Sequence, residues 1–308
     1  MLKVSVIIPF YKNALTIERA LRSILHQSSP VSEIVIVNDD SPDRDALIEV
    51  LKQFPDVKLV NNTTNKGLAY SRNNGVLHST GDVLCFLDAD DEVHPQKIEI
   101  QLKLLTSKNA ITCKNKVISN SSEIYLNCLY NPDSFRYRIF TTPFLVAYRN
   151  NLTGAGMMIS RDLFEAIGGY DEDLRSAEDY DLWLRLLEVN IQVVLIQLPL
   201  YMWYFNPNGL SKNYYSMSVQ EFSAVQKHLN RIKKNDQLLT LHNKLILFIF
   251  IVRQYYRYEK CFDSRLLTFA QQNHKNFRVS RALSFMIKII IFSRVLKITT
   301  YLNKIFRA

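Results

Sequence analysis

The chain has 308 residues, 47% hydrophobic and 22% charged, with a net charge of +9. This is ordinary globular composition, long enough for one large domain or two smaller ones. The longest purely apolar run, Leu245 to Val252, is too short to span a bilayer, and the six histidines form no HxH or HExxH pattern, which argues against a histidine-built metal site.

The opening residues MLKVSVIIPFYKN lack a basic leading region, a long apolar stretch and a small-residue cleavage site, so no signal peptide is expected. The four cysteines (Cys85, Cys113, Cys128, Cys261) show no paired spacing, and a reduced, cytoplasmic setting is the simplest reading. The charge is uneven. Residues 212–308 hold 18 Lys/Arg against 4 Asp/Glu, whereas residues 1–211 hold 20 against 25.

Val4 to Pro9 is a β-branched run that reads as a buried strand stopping at a proline. Thr16 to His26 has apolar residues at helical spacing, with Thr16 as its expected N-cap. Glu33 to Val37 is a second strand, ending in the polar cluster NDDSPD, and Asp45 to Phe54 a second helix. Val57 to Asn61 is the third strand, Leu68 to Ser79 the third helix, and Asp82 to Leu87 the fourth strand, which runs into DADD. Strands alternating with helices predict an α/β fold with a doubly wound, mostly parallel sheet. Ligands of such sheets sit outside the carboxyl ends of the strands.

Pro95 to Leu105 is expected to be helical, and Lys114 to Arg149 has scattered aromatics and no firm period. Met157 to Ser160 is strand-like, Arg161 to Ile167 a short helix ended by two glycines, Tyr180 to Glu188 a helix and Gln192 to Gln197 a strand. After Asn213 the chain turns helical, basic and aromatic, which places a boundary near residue 212. The expected domains are therefore 1–211 and a helical region, 212–308.

Asp88 and Asp90 stand at i, i+2 directly after the fourth apolar strand. That spacing can turn both carboxylates toward one ligand, and hard carboxylate oxygens suit Mg²⁺ or Mn²⁺ bridging to substrate phosphates. No GxGxxG or GxxxxGK[ST] occurs, which argues against a dinucleotide oxidoreductase or a P-loop kinase.

The stretches VSVIIPFYKN, EIVIVNDDSPD, NKGLAYSRNNGVLHSTGDVLCFLDADDE and GGYDEDLRSAEDYDLWLRL together resemble the inverting glycosyltransferases with the GT-A fold, commonly called family 2. The resemblance runs in the family's order over roughly residues 3–211. It implies a metal-dependent transfer of a sugar from a nucleotide-sugar, UDP-linked in most of the family, to an acceptor hydroxyl. Pro9 and Tyr11 match the first nucleotide-contacting loop, although an aromatic at a strand end is often core. Asp39 matches the aspartate that meets the base, Lys66 and Arg72 the basic residues near base and diphosphate, and Asp88 and Asp90 the metal motif. Asp179 matches the catalytic base, and Glu178 beside it is expected to orient the acceptor or the loop.

The chain departs from the family at Asn38 and Asp40, which replace an aspartate and a glycine, and at Phe205, where arginine is frequent. Ser176 to Asp179 also fits a helix capping box, and Asp181 reads as an exposed helix residue. The reading requires Asp88, Asp90 and Asp179 to line one cleft.

Two rivals are a sugar-phosphate nucleotidyltransferase, which would show a Gly-rich loop after the first strand where this chain has Phe10-Tyr11-Lys12-Asn13, and a non-catalytic carbohydrate-binding protein of the same fold. The basic tail is expected to form two short amphipathic helices. It suits either an anionic membrane surface or packing on the core or a second subunit. No nucleic-acid motif accompanies the charge, so nucleic acid is not an expected partner. The acceptor implied is a glycan or glycolipid of a bacterial cell surface, met at the inner face of the cytoplasmic membrane.

Overall fold

The computed structural model describes residues 2–118, 126–143, 146, 152–206 and 213–232, with 264, 265, 268 and 272. The chain divides into two compact units, Met1–Leu210 and Ser211–Ala308.

In the first unit β1 (Val4–Phe10), β2 (Glu33–Asn38), β3 (Lys58–Asn61) and β4 (Val83–Phe86) lie parallel, in the order β3-β2-β1-β4. Helices α1 (Ile17–Leu25), α2 (Arg44–Leu51) and α3 (Leu68–Leu77) make the crossovers. β1 and β4 are buried at every position, as expected of central parallel strands covered on both faces. α1 turns Ile17, Ala20, Leu21 and Ile24 into the core, and these pack with the apolar side chains of β1, β2 and β4 in one cluster.

Beyond β4 the sheet is mixed. β8 (Met158–Ser160) lies antiparallel between β4 and β6 (Asn109–Ile118). β6 pairs in parallel with the long β9 (Gln192–Tyr204), whose antiparallel partners are β5 (Glu92–Val93) and β7 (Tyr137–Phe140). Helices α4 (Lys97–Leu102), α5 (Arg161–Ala166) and α6 (Glu178–Glu188) complete the described part of this unit. The result is the expected α/β architecture, with a largely parallel open sheet.

Local expectations failed where tertiary contacts override the pattern. β6 lies partly in the stretch that showed no period, because register shifts between Cys113 and Lys114 and between Lys114 and Asn115 break its alternation. β9 runs on past Gln197 through Pro199, which sits at that irregularity, opposite Lys114. Thr16 stands at the N-cap of α1, but its hydroxyl caps nothing; it donates to the carbonyls of Asn13 (3.1 Å) and Ala89 (2.9 Å).

The capping box at Ser176 does not form, because the N-cap of α6 is Ala177, in the left-handed region at φ 63°. Asp181 is fully buried rather than exposed. α6 is buried on nearly all sides, and Asp181 is neutralised there by Arg185 Nε at 2.6 Å.

In the second unit, α7 (Tyr214–Ile232) carries a buried stripe at Ser218, Phe222, Val225 and Leu229. The Arg265 guanidinium lies 4.9 Å from the centre of the Tyr215 ring. The two amphipathic helices expected of the basic tail, and the apolar run Leu245 to Val252, lie outside the described residues. Among the described residues no helix is long and apolar enough to cross a membrane.

Candidate active site

The carboxyl ends of β1, β2 and β4 open on one edge of the sheet. At the end of β1, Pro9 is buried within the strand opposite Val37, whereas Tyr11 is 41% exposed. The Lys12 ammonium lies 5.1 Å from the Tyr11 ring centre, and the Lys12 N–H donates to Ser41 Oγ at 2.9 Å.

At the end of β2, Asp40 takes the left-handed conformation (φ 54°) in place of the family's glycine, a role aspartate tolerates better than most side chains. Asn38 lies inward, donating to Asn61 Oδ1 and accepting from the Ser41 N–H. Asp39 is 5% exposed. Its Oδ1 accepts from the Lys66 N–H (2.8 Å) and Asn62 Nδ2 (2.7 Å), and its Oδ2 from the Gly67 N–H (2.8 Å). Asp39 therefore fixes the turn that opens α3, where Gly67 at φ 93° supplies a conformation that L side chains rarely adopt. The Lys66 side chain is exposed, with its ammonium 5.9 Å from the Tyr70 ring centre.

Arg72, on α3, is only 2% exposed. Its Nη2 donates to Asp88 Oδ1 at 2.8 Å and its Nη1 to Glu178 Oε1 at 2.5 Å. The guanidinium also lies 5.3 Å from the Tyr170 ring centre. One buried cation thus joins the acidic turn after β4 to the first turn of α6. This brings Asp88, Glu178 and the neighbouring Asp179 into one region.

The acidic turn is braced from several sides. Arg19 of α1 donates to the Asp90 carbonyl at 2.5 Å and stacks 3.5 Å from the Tyr204 ring centre. Asn206 Nδ2 donates to Asp90 Oδ2 at 3.2 Å. Asp91, absent from the sequence-based site, is 1% exposed and accepts from the Tyr201 hydroxyl (2.7 Å) and the Tyr204 N–H (2.8 Å). The same Tyr201 hydroxyl accepts from the Asp88 N–H at 3.3 Å. Asp91 stood in sight within DADDE, but nothing in the sequence marked Tyr201 as its support, or Asn206 and Arg19 as the supports of Asp90. Burial and the charge of Asp88 push the Asp90 carboxyl above its ordinary range.

Two carboxylates on one turn are a donor set that suits a hard divalent ion taking its other ligands from water and phosphate. Among the described residues no group of three or more His, Cys, Asp or Glu side chains is placed to hold a metal ion.

Asp179 occupies the second position of α6. Its Oδ1 accepts from the Tyr180 N–H at 2.7 Å and its Oδ2 from the Gly154 N–H at 3.2 Å. Burial and the neighbouring Glu178 push its carboxyl up to about 7, against the opposing pull of Arg72 and the two N–H donors. A carboxylate poised there can take a proton near neutral pH.

Residues 5–168, more than half of the chain, match the family model described as Glycosyl transferase family 2. An uncharacterized glycosyltransferase of Haemophilus influenzae is 35% identical over 190 residues, which cover 60% of this chain and 62% of that protein. The chain thus spans less than two thirds of that relative. The crystal structure of S. aureus TarS 1–349 in complex with UDP-GlcNAc is similar at a TM-score of 0.67 and 18% identity, over 91% of this chain and 82% of that one. The mannosyltransferase PcManGT of Pyrobaculum calidifontis, in complex with GDP-Man and Mn²⁺, is similar at a TM-score of 0.56 and 18% identity, over 93% and 83% of the two chains. At such identities the likeness is one of fold.

Proposed function

The chain belongs to glycosyl transferase family 2, and on that premise we propose that it moves a sugar from a nucleotide-sugar, UDP-linked by preference, to an acceptor hydroxyl with inversion at the anomeric carbon. Asp179 is the general base that takes the acceptor's proton as its oxygen attacks. Tyr11, Asp39 and Lys66 form the nucleotide end, with Asp39 acting through the turn it holds. Asp88 and Asp90 would hold Mg²⁺ or Mn²⁺, which supplies positive charge to the departing diphosphate. Arg72, committed to Asp88 and Glu178, aligns the two ends of the site instead of meeting the phosphates directly. Pro9, buried in its strand, sets the backbone beneath Tyr11.

The observation that carries this reading is the Arg72 guanidinium lying between Asp88 at 2.8 Å and Glu178 at 2.5 Å. The donor sugars bound to the TarS and PcManGT structures, and the Mn²⁺ in the latter, support a nucleotide-sugar donor and a divalent ion here. The residue 1–211 region would do the chemistry. The basic region after it, with 18 Lys/Arg against 4 Asp/Glu, would meet an anionic membrane surface that presents a glycan or glycolipid acceptor.

The test is turnover of a panel of UDP-, GDP- and dTDP-sugars, with and without EDTA. We expect turnover that needs the ion. Asp179→Asn should abolish transfer while leaving nucleotide binding nearly intact. Turnover indifferent to EDTA would remove the metal from the scheme, and wild-type turnover by Asp179→Asn would remove the base.

A further inference from the structure

The carboxylate of Asp179 is held from across the site by the backbone of a loop. This loop, residues 152–157, leads into β8. It is pinned by Thr112 Oγ1 of β6, which donates to the Thr153 carbonyl at 2.7 Å, and by Gln101 Nε2 of α4, which donates to the Gly156 carbonyl at 2.9 Å. A turn closed by the Met157 N–H on the Gly154 carbonyl at 3.1 Å aims the Gly154 N–H at Asp179 Oδ2, 3.2 Å away.

The approach leaves no space. A Cβ at residue 154 would lie 2.4 Å from Asp179 Cβ, 2.8 Å from its Oδ2 and 3.0 Å from its Cγ. The left-handed glycines among the described residues are Gly67, Gly168 and Gly169. Backbone conformation therefore does not demand glycine at 154; the closeness of Asp179 does.

We propose that Gly154 is a positioning residue for the base. Its N–H fixes one carboxylate oxygen while the Tyr180 N–H fixes the other, and its missing side chain is the room that the carboxylate occupies. With both oxygens tethered by backbone, the group presents its remaining lone pairs in one direction. The charged neighbours of Asp179 are Glu178 on its own helix and Arg72 from α3, with the Tyr170 phenol beside Arg72. From the loop side the group it meets is this amide. The inference rests on Asp179 being the base.

The test compares Gly154→Ala and Thr112→Val with wild type and with Asp179→Asn, using the nucleotide-sugar the protein turns over and UDP with Mn²⁺ as the binding probe. A displacement of the base by about 1 Å costs on the order of 100-fold in kcat, and this is the loss expected of Gly154→Ala. Its donor KM and its affinity for UDP with Mn²⁺ should stay within about twofold of wild type, because the donor end is untouched. The acid limb of its pH profile should move to higher pH, since the amide hydrogen bond favours the ionised carboxylate.

Thr112→Val loosens the loop without crowding Asp179, and should move kcat and the acid limb in the same directions by less. It keeps the inference testable if Gly154→Ala fails to fold. A wild-type acid limb and kcat in either variant, with Asp179→Asn inactive, would overturn the role of Gly154 and leave the base standing. An active Asp179→Asn would instead overturn the base itself.

Discussion

Arg72 and Glu178, separated by 106 positions in the chain, meet through a 2.5 Å hydrogen bond that is closed to solvent. The other arm of the same guanidinium holds Asp88. Breaking such a pair leaves a buried charge without its partner, which costs more than the pair itself is worth. Arg72→Ala should therefore destabilise the protein by about 3–5 kcal/mol, read from urea unfolding. Adding Glu178→Gln should recover part of that loss, and a double-mutant cycle measures the coupling. Additive effects would mean that the two side chains do not share their burial.

The pH dependence follows from Asp179, whose carboxyl is pushed up to about 7 by burial and by Glu178. A base works ionised, so kcat should rise with pH through about 7 and level off above it. Glu178→Gln removes one of the two causes and should move the midpoint to lower pH. A wild-type profile flat from about pH 5 to 9 would contradict the assignment. The same shift acts on stability with the opposite sense. The neutral form is favoured in the fold, so this contribution is complete below 3.8 and fades as pH climbs to about 7.

The metal pair should show itself in binding before turnover. UDP and Mn²⁺ together should raise the melting temperature more than the sum of their separate effects, since an ion held by Asp88 and Asp90 would supply positive charge to the diphosphate. Asp90→Asn should remove that extra increment and leave the melting temperature of the unliganded protein nearly unchanged. An increment that survives in Asp90→Asn would exclude the turn as the ion's seat.

Tyr201 stands beneath the acidic turn, giving its hydroxyl proton to Asp91 and accepting from the Asp88 N–H. Tyr201→Phe leaves the buried Asp91 carboxyl group short of a donor and should cost about 1–3 kcal/mol. It should also weaken the Mn²⁺-dependent binding of UDP, because Asp88 rides on that turn. Loss of stability with ion-dependent binding intact would make Tyr201 a support of the fold alone.

Much of the molecule was legible from residues alone, and the legible parts share a cause. VSVIIPF and VLCF are apolar without interruption because both their faces are covered, and a strand of that kind announces itself. Asp88 and Asp90 were marked by chemical type and by their place after an apolar strand, and Asp179 by the family resemblance. The rest depended on contacts between distant positions. Arg72 was marked as a basic residue near the diphosphate, but its contacts with Asp88 and Glu178 had no local signal. Asp181 looked exposed because a helix wheel cannot tell that α6 is enclosed on nearly every side. The length of β9 was hidden by Pro199, whose break in the ladder is absorbed by an irregularity in its neighbour β6. Gly154 gave no signal, since a close approach between residues 25 apart leaves no local pattern.

The direction of β8 has a consequence for how such a site can change over time. β8 runs against β4, with Met158 opposite Cys85, so the residues leading into β8 arrive where those leaving β4 depart. Gly154 and Asp88 are thereby delivered to the same rim by a reversal of one short strand. The register of β8 against β4 therefore sets where the loop carrying Gly154 meets the turn carrying Asp88. A change in sequence that slipped β8 against β4 by one residue would draw Gly154 away from that rim while the acidic turn kept its place.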